Sequence, residues 1–169
     1  MIEIRREEPS DQAVIRRLNE VAFGCKEEAN VVDKLRASCD DYLSFVAVDQ
    51  GHVVGHILFT PVTIDDSKLV GMGLAPMSVS PTHQRKGIGS RLVRHRLGHL
   101  RQNGCPFVIV LGHPEYYPRF GFELASRYSL RSQWDGVPDE AFMALVLDEE
   151  ILPELQGTAR YRAEFDEAM

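Results

Sequence analysis

Apolar and polar residues follow one another in a pattern that predicts strands and helices in mixed order. Ile2 and Ile4 alternate with charged residues, which predicts a short first strand. Ser10 is the expected N-cap of the next helix, in which apolar residues recur at helical spacing until Gly24. A second helix is predicted over about 27–37, so one strand and two helices precede the central part of the chain.

Three strands joined by short turns are predicted next. Residues 43–48 are rich in β-branched and aromatic side chains, and His52–Ile64 is the expected return strand, interrupted at Pro61. Val70–Val79 is the third strand of this group. Because the connections are short, neighbouring strands are expected to be antiparallel.

The second half of the chain is predicted to hold a helix and three further strands. The helix covers 90–101 and leads into the apolar run Phe107–Leu111, which implies a parallel, right-handed crossover from the preceding strand. The segments 122–130 and 142–147 are the other predicted strands.

Two parts of the sequence depart from this regular pattern. The polar segment 152–169 has Tyr161 and Phe165 as its only aromatic anchors and is expected to pack as an extended tail. Arg96 falls on the apolar face of the predicted helix, where the sequence offers no explanation beyond packing of its aliphatic stem.

Length and composition indicate an ordinary globular protein. The 169 residues predict a single domain over residues 1–169, of mixed α/β class. The net charge of −6 argues against nucleic acid and anionic membranes as partners. Three cysteines without metal-type spacing, and the lack of an apolar leader, favour free thiols and a cytoplasmic location.

Charge is distributed unevenly along the chain. No Asp or Glu occurs from Ser67 to Pro114, whereas this window carries seven Lys and Arg residues. A solvated basic helix is one explanation. A polyanionic ligand explains the complete absence of carboxylates better.

Residues 84–89 form a glycine-bearing loop between the strand Val70–Val79 and the following helix. The first amides of a helix have no partner within the helix, and the helix dipole adds positive charge there. Gly87 and Gly89 lack side chains that would block a ligand's approach to these amides. A pyrophosphate fits such a site.

Two common phosphate motifs do not fit this loop. A P-loop requires Lys and then Ser or Thr after the last glycine, but Gly89 is followed by Ser90 and Arg91. The dinucleotide-binding motif requires a small residue where Leu92 stands. The remaining pattern is Gln/Arg-x-x-Gly-x-Gly/Ala after a strand.

This pattern resembles the acetyl-CoA-binding signature of the GNAT family of N-acetyltransferases. A second resemblance is Tyr117, followed after three residues by Gly121 and Phe122, and the wider run 112–117 resembles a bacterial subgroup of small, mostly uncharacterised members. The order of elements is similar to the GNAT fold, a mostly antiparallel sheet with splayed central strands flanked by helices. The resemblance therefore implies transfer of an acetyl group from acetyl-CoA to a primary amine of an unidentified small molecule or peptide, by direct attack.

The resemblance also implies roles for particular residues. Pantetheine would pair with the strand before the loop, and the Val79 amide would donate to the oxyanion of the tetrahedral intermediate. Backbone amides at the start of the helix would hold the pyrophosphate, with added charge from the Arg85 and Lys86 side chains. The implied cofactor-binding residues are Met77, Ser78, Val79, Gln84, Arg85, Lys86, Gly87, Ile88, Gly89 and Ser90.

Tyr117 is the candidate general acid. A phenol has a pKa of about 10, so it is protonated at neutral pH and can protonate a thiolate. A packing tyrosine is the competing interpretation, Tyr116 is the adjacent alternative, and Pro118 disfavours helical backbone at Tyr117. The base is not identified, and the residues considered for it are Glu28, His83, His113 and Glu115.

Other functions remain open from sequence alone. The first alternative is a non-catalytic acyl-CoA-binding or regulatory module on the same fold, and the second is a nucleic-acid binder that uses the basic segment. No metal site is expected, because His95 and His99 lack a third ligand and Arg96 stands where a zincin has glutamate. The resemblance also implies homodimers as one assembly state.

Overall fold

A computed structural model describes residues 1–169 and contains nine strands and three α-helices. The helices are α1 (Gln12–Phe23), α2 (Glu27–Ser38) and α3 (Ile88–Gln102). The strands are β1 (Ile2–Arg6), β2 (Leu43–Asp49), β3 (His52–Ile64), β4 (Val70–Val79), β5 (Phe107–Leu111), β6 (Glu123–Leu124), β7 (Leu130–Ser132), β8 (Phe142–Val146) and β9 (Gly157–Arg160). No helix combines the length and the apolar character that a bilayer crossing requires.

The chain forms two compact units. The first unit contains Met1–Phe59, Ala75–Arg96 and Ala163–Met169, and the second contains Thr60–Leu74 and Leu97–Arg162. The mixed fold with mostly antiparallel strand pairs agrees with the sequence prediction.

The first unit is built on an antiparallel meander of β1, β2 and β3. Pairing runs from Ile2↔Asp49 to Arg6↔Phe45 between β1 and β2, and β2 continues the ladder onto β3. A Cβ atom at Gly55 of β3 would lie 3.2 Å from a methyl of Leu92 and 3.3 Å from one of Ile88. Helix α3 therefore packs closely on the strand, and its N-terminus is held in place by buried Ile88.

The second unit combines parallel and antiparallel pairing. Strand β4 pairs parallel with β5 at Met72↔Val108 through Leu74↔Val110, as the predicted crossover requires. Strand β5 pairs antiparallel with β8, which pairs with the two-residue strand β6. Strand β9 pairs with β3 at Thr63 and Ile64, and parallel with β7.

Two local predictions in the first half of the chain were wrong. Ser10 is not the N-cap of α1, because a 3-10 turn covers Pro9–Asp11 and the carboxylate of Asp11 accepts the Glu8 amide at 2.7 Å. Strand β3 continues without a break through Pro61, and the register shift lies between Ala47 and Val48 of β2.

The predicted strand 122–130 and the predicted extended tail were also wrong. Only Glu123–Leu124 is extended at the start of the first segment; a 3-10 turn then covers Ala125–Tyr128 and ends at Ser129, whose φ of 58° is left-handed. The tail contains strand β9 because its backbone finds partners on β3 and β7. Tyr161 and Phe165 are buried, as predicted.

Candidate functional site

The loop between β4 and α3 lies in the first unit and has an irregular backbone. After β4 ends at Val79, the Ser80 amide donates to the carbonyl of Val54 at 2.8 Å, and a 3-10 turn covers Pro81–His83. Arg85 then has a φ of 63° and Gly87 a φ of 80°. Left-handed residues in such a turn can make consecutive amides converge, and this geometry suits an anion.

The helix begins directly after this turn. The Arg91 amide donates to the carbonyl of Gly87 at 3.0 Å, which is the first bond of the helix. Earlier amides have no carbonyl one turn before them in the helix, and the first turn contains no acidic residue. A Cβ atom at Gly87 would meet no atom within 4 Å, so the side of the loop that Gly87 faces is open. The start of α3 can therefore receive an anionic ligand.

The two glycines of the motif differ in backbone conformation. Gly87 has a positive φ, so its position favours glycine for conformational reasons. Gly89 lies within α3 and is not among the residues with positive φ. Only the first glycine is therefore required by backbone conformation.

Part of the basic segment has structural partners. One guanidinium nitrogen of Arg91 donates to the carbonyl of Ile2 at 3.1 Å. The guanidinium of Arg96 lies 3.4 Å from the centre of the Phe45 ring, which explains a cation on the apolar face of α3. Burial, and secondarily Arg6, lowers the pKa of Arg96 to about 10, so it remains charged at neutral pH. Arg85 and Lys86 are exposed on the loop itself.

The end of β4 supplies the residues proposed to contact pantetheine. Met77 and Val79 are half-buried, whereas Ser78 between them is 4% exposed. The hydroxyl of Ser78 is buried without a hydrogen-bond partner. The side-chain amide of Gln84 donates to the carbonyl of Val79 at 3.1 Å, so Gln84 braces the strand end against the loop.

A buried polar network that the sequence analysis missed also lies in the first unit. Nε2 of His56 lies 2.9 Å from the hydroxyl of Ser44, which donates to Glu7. Arg36 donates to both carboxylate oxygens of Glu7 at 2.6 and 3.1 Å. Burial, and then the charge of Arg36, lowers the pKa of His56 to about 3, so the ring is neutral. With Ser44 only 2% exposed, this cluster supports the fold and is closed to substrates.

Tyr117 lies in the second unit, at the start of a 3-10 turn that spans Tyr117–Phe120. It is 7% exposed, and its ring packs edge-on against Tyr116 and Phe122 with centroids at 5.1 and 5.7 Å. A Cβ atom at Gly112 would lie 2.3 Å from the Tyr117 ring, so glycine is needed there for the close approach. Burial, and secondarily Tyr116, raises the pKa of Tyr117, which therefore stays protonated. Pro118 does not prevent the turn.

Tyr161 of the tail was predicted only as a packing anchor, yet it contacts the backbone of two strands. Its ring would lie 2.3 Å from a Cβ atom at Gly73 of β4. Its hydroxyl lies 3.3 Å from the carbonyl oxygen of Ile109 on β5 and 3.4 Å from that of Leu74 on β4. A glycine inside a strand signals close approach of another group, so Gly73 was the available signal.

Three of the four residues considered as a base have local partners: His83, Glu28 and His113. His83 lies 3.3 Å from a carboxylate oxygen of Asp49. Glu28 accepts from the thiol of Cys25 at 3.1 Å, and hydrogen bonds to Glu27 and Glu28 raise the pKa of Cys25 to about 11. The carbonyl of His113 accepts the amide of Tyr116 at 3.1 Å. None of these contacts singles out a base.

Comparison with known proteins gives a consistent result. A family model described as an acetyltransferase (GNAT) domain matches residues 3–125. A protein of Escherichia coli K12 named uncharacterized N-acetyltransferase YhbS is 34% identical over 166 residues, which cover 98% of this chain and 96% of that protein. Uncharacterized N-acetyltransferase YjhQ of the same strain is 46% identical over 119 residues, which cover 68% of this chain and 65% of that protein.

Solved structures agree with these relatives. The crystal structure of YhbS from Escherichia coli in complex with CoA has a TM-score of 0.90 at 34% identity, with 98% of this chain and 92% of that chain covered. A GNAT family acetyltransferase from Brucella melitensis in complex with acetyl-CoA has a TM-score of 0.80 at 36% identity, with 98% and 99% covered.

Proposed function

Since the chain belongs to the GNAT family of acetyltransferases, we propose that it transfers an acetyl group from acetyl-CoA to a primary amine of a small molecule or peptide. The observation that carries the proposal is the loop before α3, with left-handed backbone at Arg85 and Gly87 and no acidic residue in the first helical turn. The relatives crystallised with CoA and acetyl-CoA support the choice of cosubstrate.

The pyrophosphate of acetyl-CoA binds the backbone amides from Lys86 to Ser90. Each hydrogen bond to a charged acceptor contributes about 1.5–3 kcal/mol, so the amides matter more than the exposed side chains of Arg85 and Lys86, whose charge water screens. Because Gly87 faces open space, a ligand can approach without displacing protein atoms.

The strand end next to the loop holds the thioester. The pantetheine amides pair with the backbone at Met77 and Val79, and the Val79 amide points to the thioester oxygen. A preorganised donor of this kind contributes about 3 kcal/mol in acyl-transfer sites. The bond from Gln84 to the Val79 carbonyl keeps the strand end rigid.

The reaction is a direct attack of the neutral amine on the thioester carbonyl. A C–N bond forms, the C–S bond breaks, the amine loses one proton, and the departing thiolate gains one. Tyr117 is the donor to the thiolate. Its raised pKa keeps the proton in place until the thiolate develops. An ordered water can carry the amine proton away, so the scheme needs no single side chain as base.

We further propose a domain organisation, a cellular location and an assembly state for the protein. Residues 1–169 act as one acetyltransferase domain, located in the cytoplasm, and homodimers are the expected assembly. No metal ion and no nucleic acid enter the proposed reaction.

The proposal is tested by incubating the protein with acetyl-CoA and a panel of primary amines while free thiol is measured. Thiol release that depends on an amine is the expected result, and mass spectrometry of the product then identifies the acceptor. Binding of CoA without thiol release for any amine would contradict transfer and favour the non-catalytic module.

A further inference from the structure

Tyr161 is placed against β4, which leads to the proposed thioester segment, and against its parallel neighbour β5. Its ring occupies the space where a side chain at Gly73 would lie, at 2.3 Å from the ideal Cβ position. Gly73 pairs with Ile109 of β5. The ring therefore lies directly against the β4 backbone, at a rung of the β4–β5 ladder.

The phenol group contacts both strands at once. The hydroxyl, which has one hydrogen to donate, lies 3.3 Å from the carbonyl oxygen of Ile109 and 3.4 Å from that of Leu74. One hydroxyl that reaches carbonyls of β4 and β5 lies at the seam between the strands, where it shares acceptors with the ladder itself.

Tyr161 is held at this position from its other side. Its backbone amide donates to the side-chain carbonyl of Gln133, and its ring stacks on Trp134 with the centroids 5.6 Å apart. Strand β9, which ends at Arg160 just before it, pairs with β3 and β7. The tyrosine is thus fixed by the surrounding chain and not by the two strands alone.

Packing alone does not explain the hydroxyl. Phenylalanine would fill the same space, and the two bonds to carbonyls are longer than the usual O–H···O distance of about 2.7–2.8 Å. Bonds of this length compensate poorly for burying a hydroxyl, so they contribute little to stability.

We propose that Tyr161 is a positioning residue: it fixes β4 against β5 at Leu74 and thereby sets the direction in which β4 continues into the segment that binds the pantetheine arm of the cosubstrate. The pairs of β4 with β5 run from Met72↔Val108 to Leu74↔Val110, and Ala75–Val79 follow Leu74 directly along β4. The position fixed at Leu74 therefore sets how the backbone of β4 continues toward the residues proposed to pair with the pantetheine amides. This inference rests on the proposed function, because it assigns the spacing to the binding of CoA.

The test compares two ligands and two matched variants. The ligands are CoA and adenosine 3′-phosphate 5′-diphosphate, which keeps the phosphates of CoA but lacks pantetheine. Tyr161→Phe removes the hydroxyl at the seam, and Tyr128→Phe is the control, because the Tyr128 hydroxyl donates to Glu123, which lies outside β4 and β5. Calorimetry gives each Kd, and thermal melting shows whether each variant is folded.

Tyr161→Phe is expected to weaken CoA binding severalfold, less than the tenfold that one full net hydrogen bond of about 1.4 kcal/mol would give, while the nucleotide fragment binds as to wild type. The control should leave both Kd values unchanged. Trp134→Leu, which removes the ring stacked on Tyr161 and leaves the hydroxyl in the chain, should show the same preference for CoA, and it provides the test if Tyr161→Phe does not fold.

Three results would overturn the inference. Unchanged CoA affinity in Tyr161→Phe would remove the positioning role, and equal losses for CoA and the fragment would indicate general destabilisation. A lower turnover rate with unchanged CoA affinity would place Tyr161 in proton transfer instead. Failure of the wild-type protein to bind either ligand would refute the proposed function itself.

Discussion

Replacing Gly87 by alanine separates backbone strain from ligand binding. Gly87 has a φ of 80° and no atom within 4 Å of an added Cβ, so the substitution creates no clash within the protein. An L-residue in the left-handed region costs about 1–2 kcal/mol. In a protein of this size each kcal/mol lowers Tm by about 2–4 °C.

Gly51 is a closely matched control for this substitution. It lies in the turn between β2 and β3, in the same unit, with a φ of 81° and likewise no atom within 4 Å. Gly87→Ala and Gly51→Ala should therefore lower Tm by similar amounts. Any difference in ligand binding between them then reports on the position of the loop and not on strain.

Only Gly87→Ala should weaken the binding of CoA. The strained residue relaxes toward negative φ, which turns one or two amides away from the pyrophosphate, and the new methyl group narrows the approach. Two hydrogen bonds to a charged acceptor, at about 1.5 kcal/mol or more each, give a loss of roughly 100-fold in Kd. Isothermal titration calorimetry measures the effect. Equal Kd values for the two variants would refute the assignment of the loop.

Two further predictions concern titratable side chains. Tyr117→Phe should lower the turnover rate by about 10- to 100-fold. This is the lower end for acid catalysis, because a phenol of raised pKa is a weak acid for a thiol of pKa about 8.5. Stopped assays of thiol release measure the rate, and an unchanged rate with unchanged CoA affinity would make Tyr117 a packing residue. In the folded protein His56 is neutral, with a pKa of about 3, whereas in the unfolded chain it takes up a proton below about pH 6.5. The contribution of the neutral ring to the free energy of unfolding is therefore present above about pH 6.5 and is lost as the pH falls toward 3. Denaturant titrations at pH 7 and pH 5 should show wild type losing about 2 kcal/mol more than His56→Gln over this interval, and equal losses would contradict the assignment.

Strands bounded by clear turn residues were predicted well. The bounds of β3, β4 and β5 agree with the sequence prediction, although Pro61 does not interrupt β3, because turn residues close each of these largely apolar segments. Residues 122–130 failed for the opposite reason. Phe122, Ala125 and Leu130 are all buried, but they are connected through a 3-10 turn and a left-handed Ser129. No local pattern of apolar and polar residues predicts this turn.

The parts of the candidate site that are contiguous in sequence were predictable, whereas contacts between residues far apart in the sequence were not. The phosphate loop is contiguous in sequence, so its glycines and its missing carboxylates were visible. Arg96 could not be explained until its contact with Phe45 was known, 51 positions earlier in the chain. Tyr161 and Gly73 are each present in the sequence, but their contact depends on how the tail returns to β4.

The most direct test of the account is a crystal structure of the protein with acetyl-CoA bound. The account predicts that pyrophosphate oxygens lie within hydrogen-bond distance of the backbone amides from Lys86 to Ser90, about 2.7–3.2 Å, with the thioester oxygen at the Val79 amide. A pyrophosphate bound elsewhere, with these amides facing water, would contradict it.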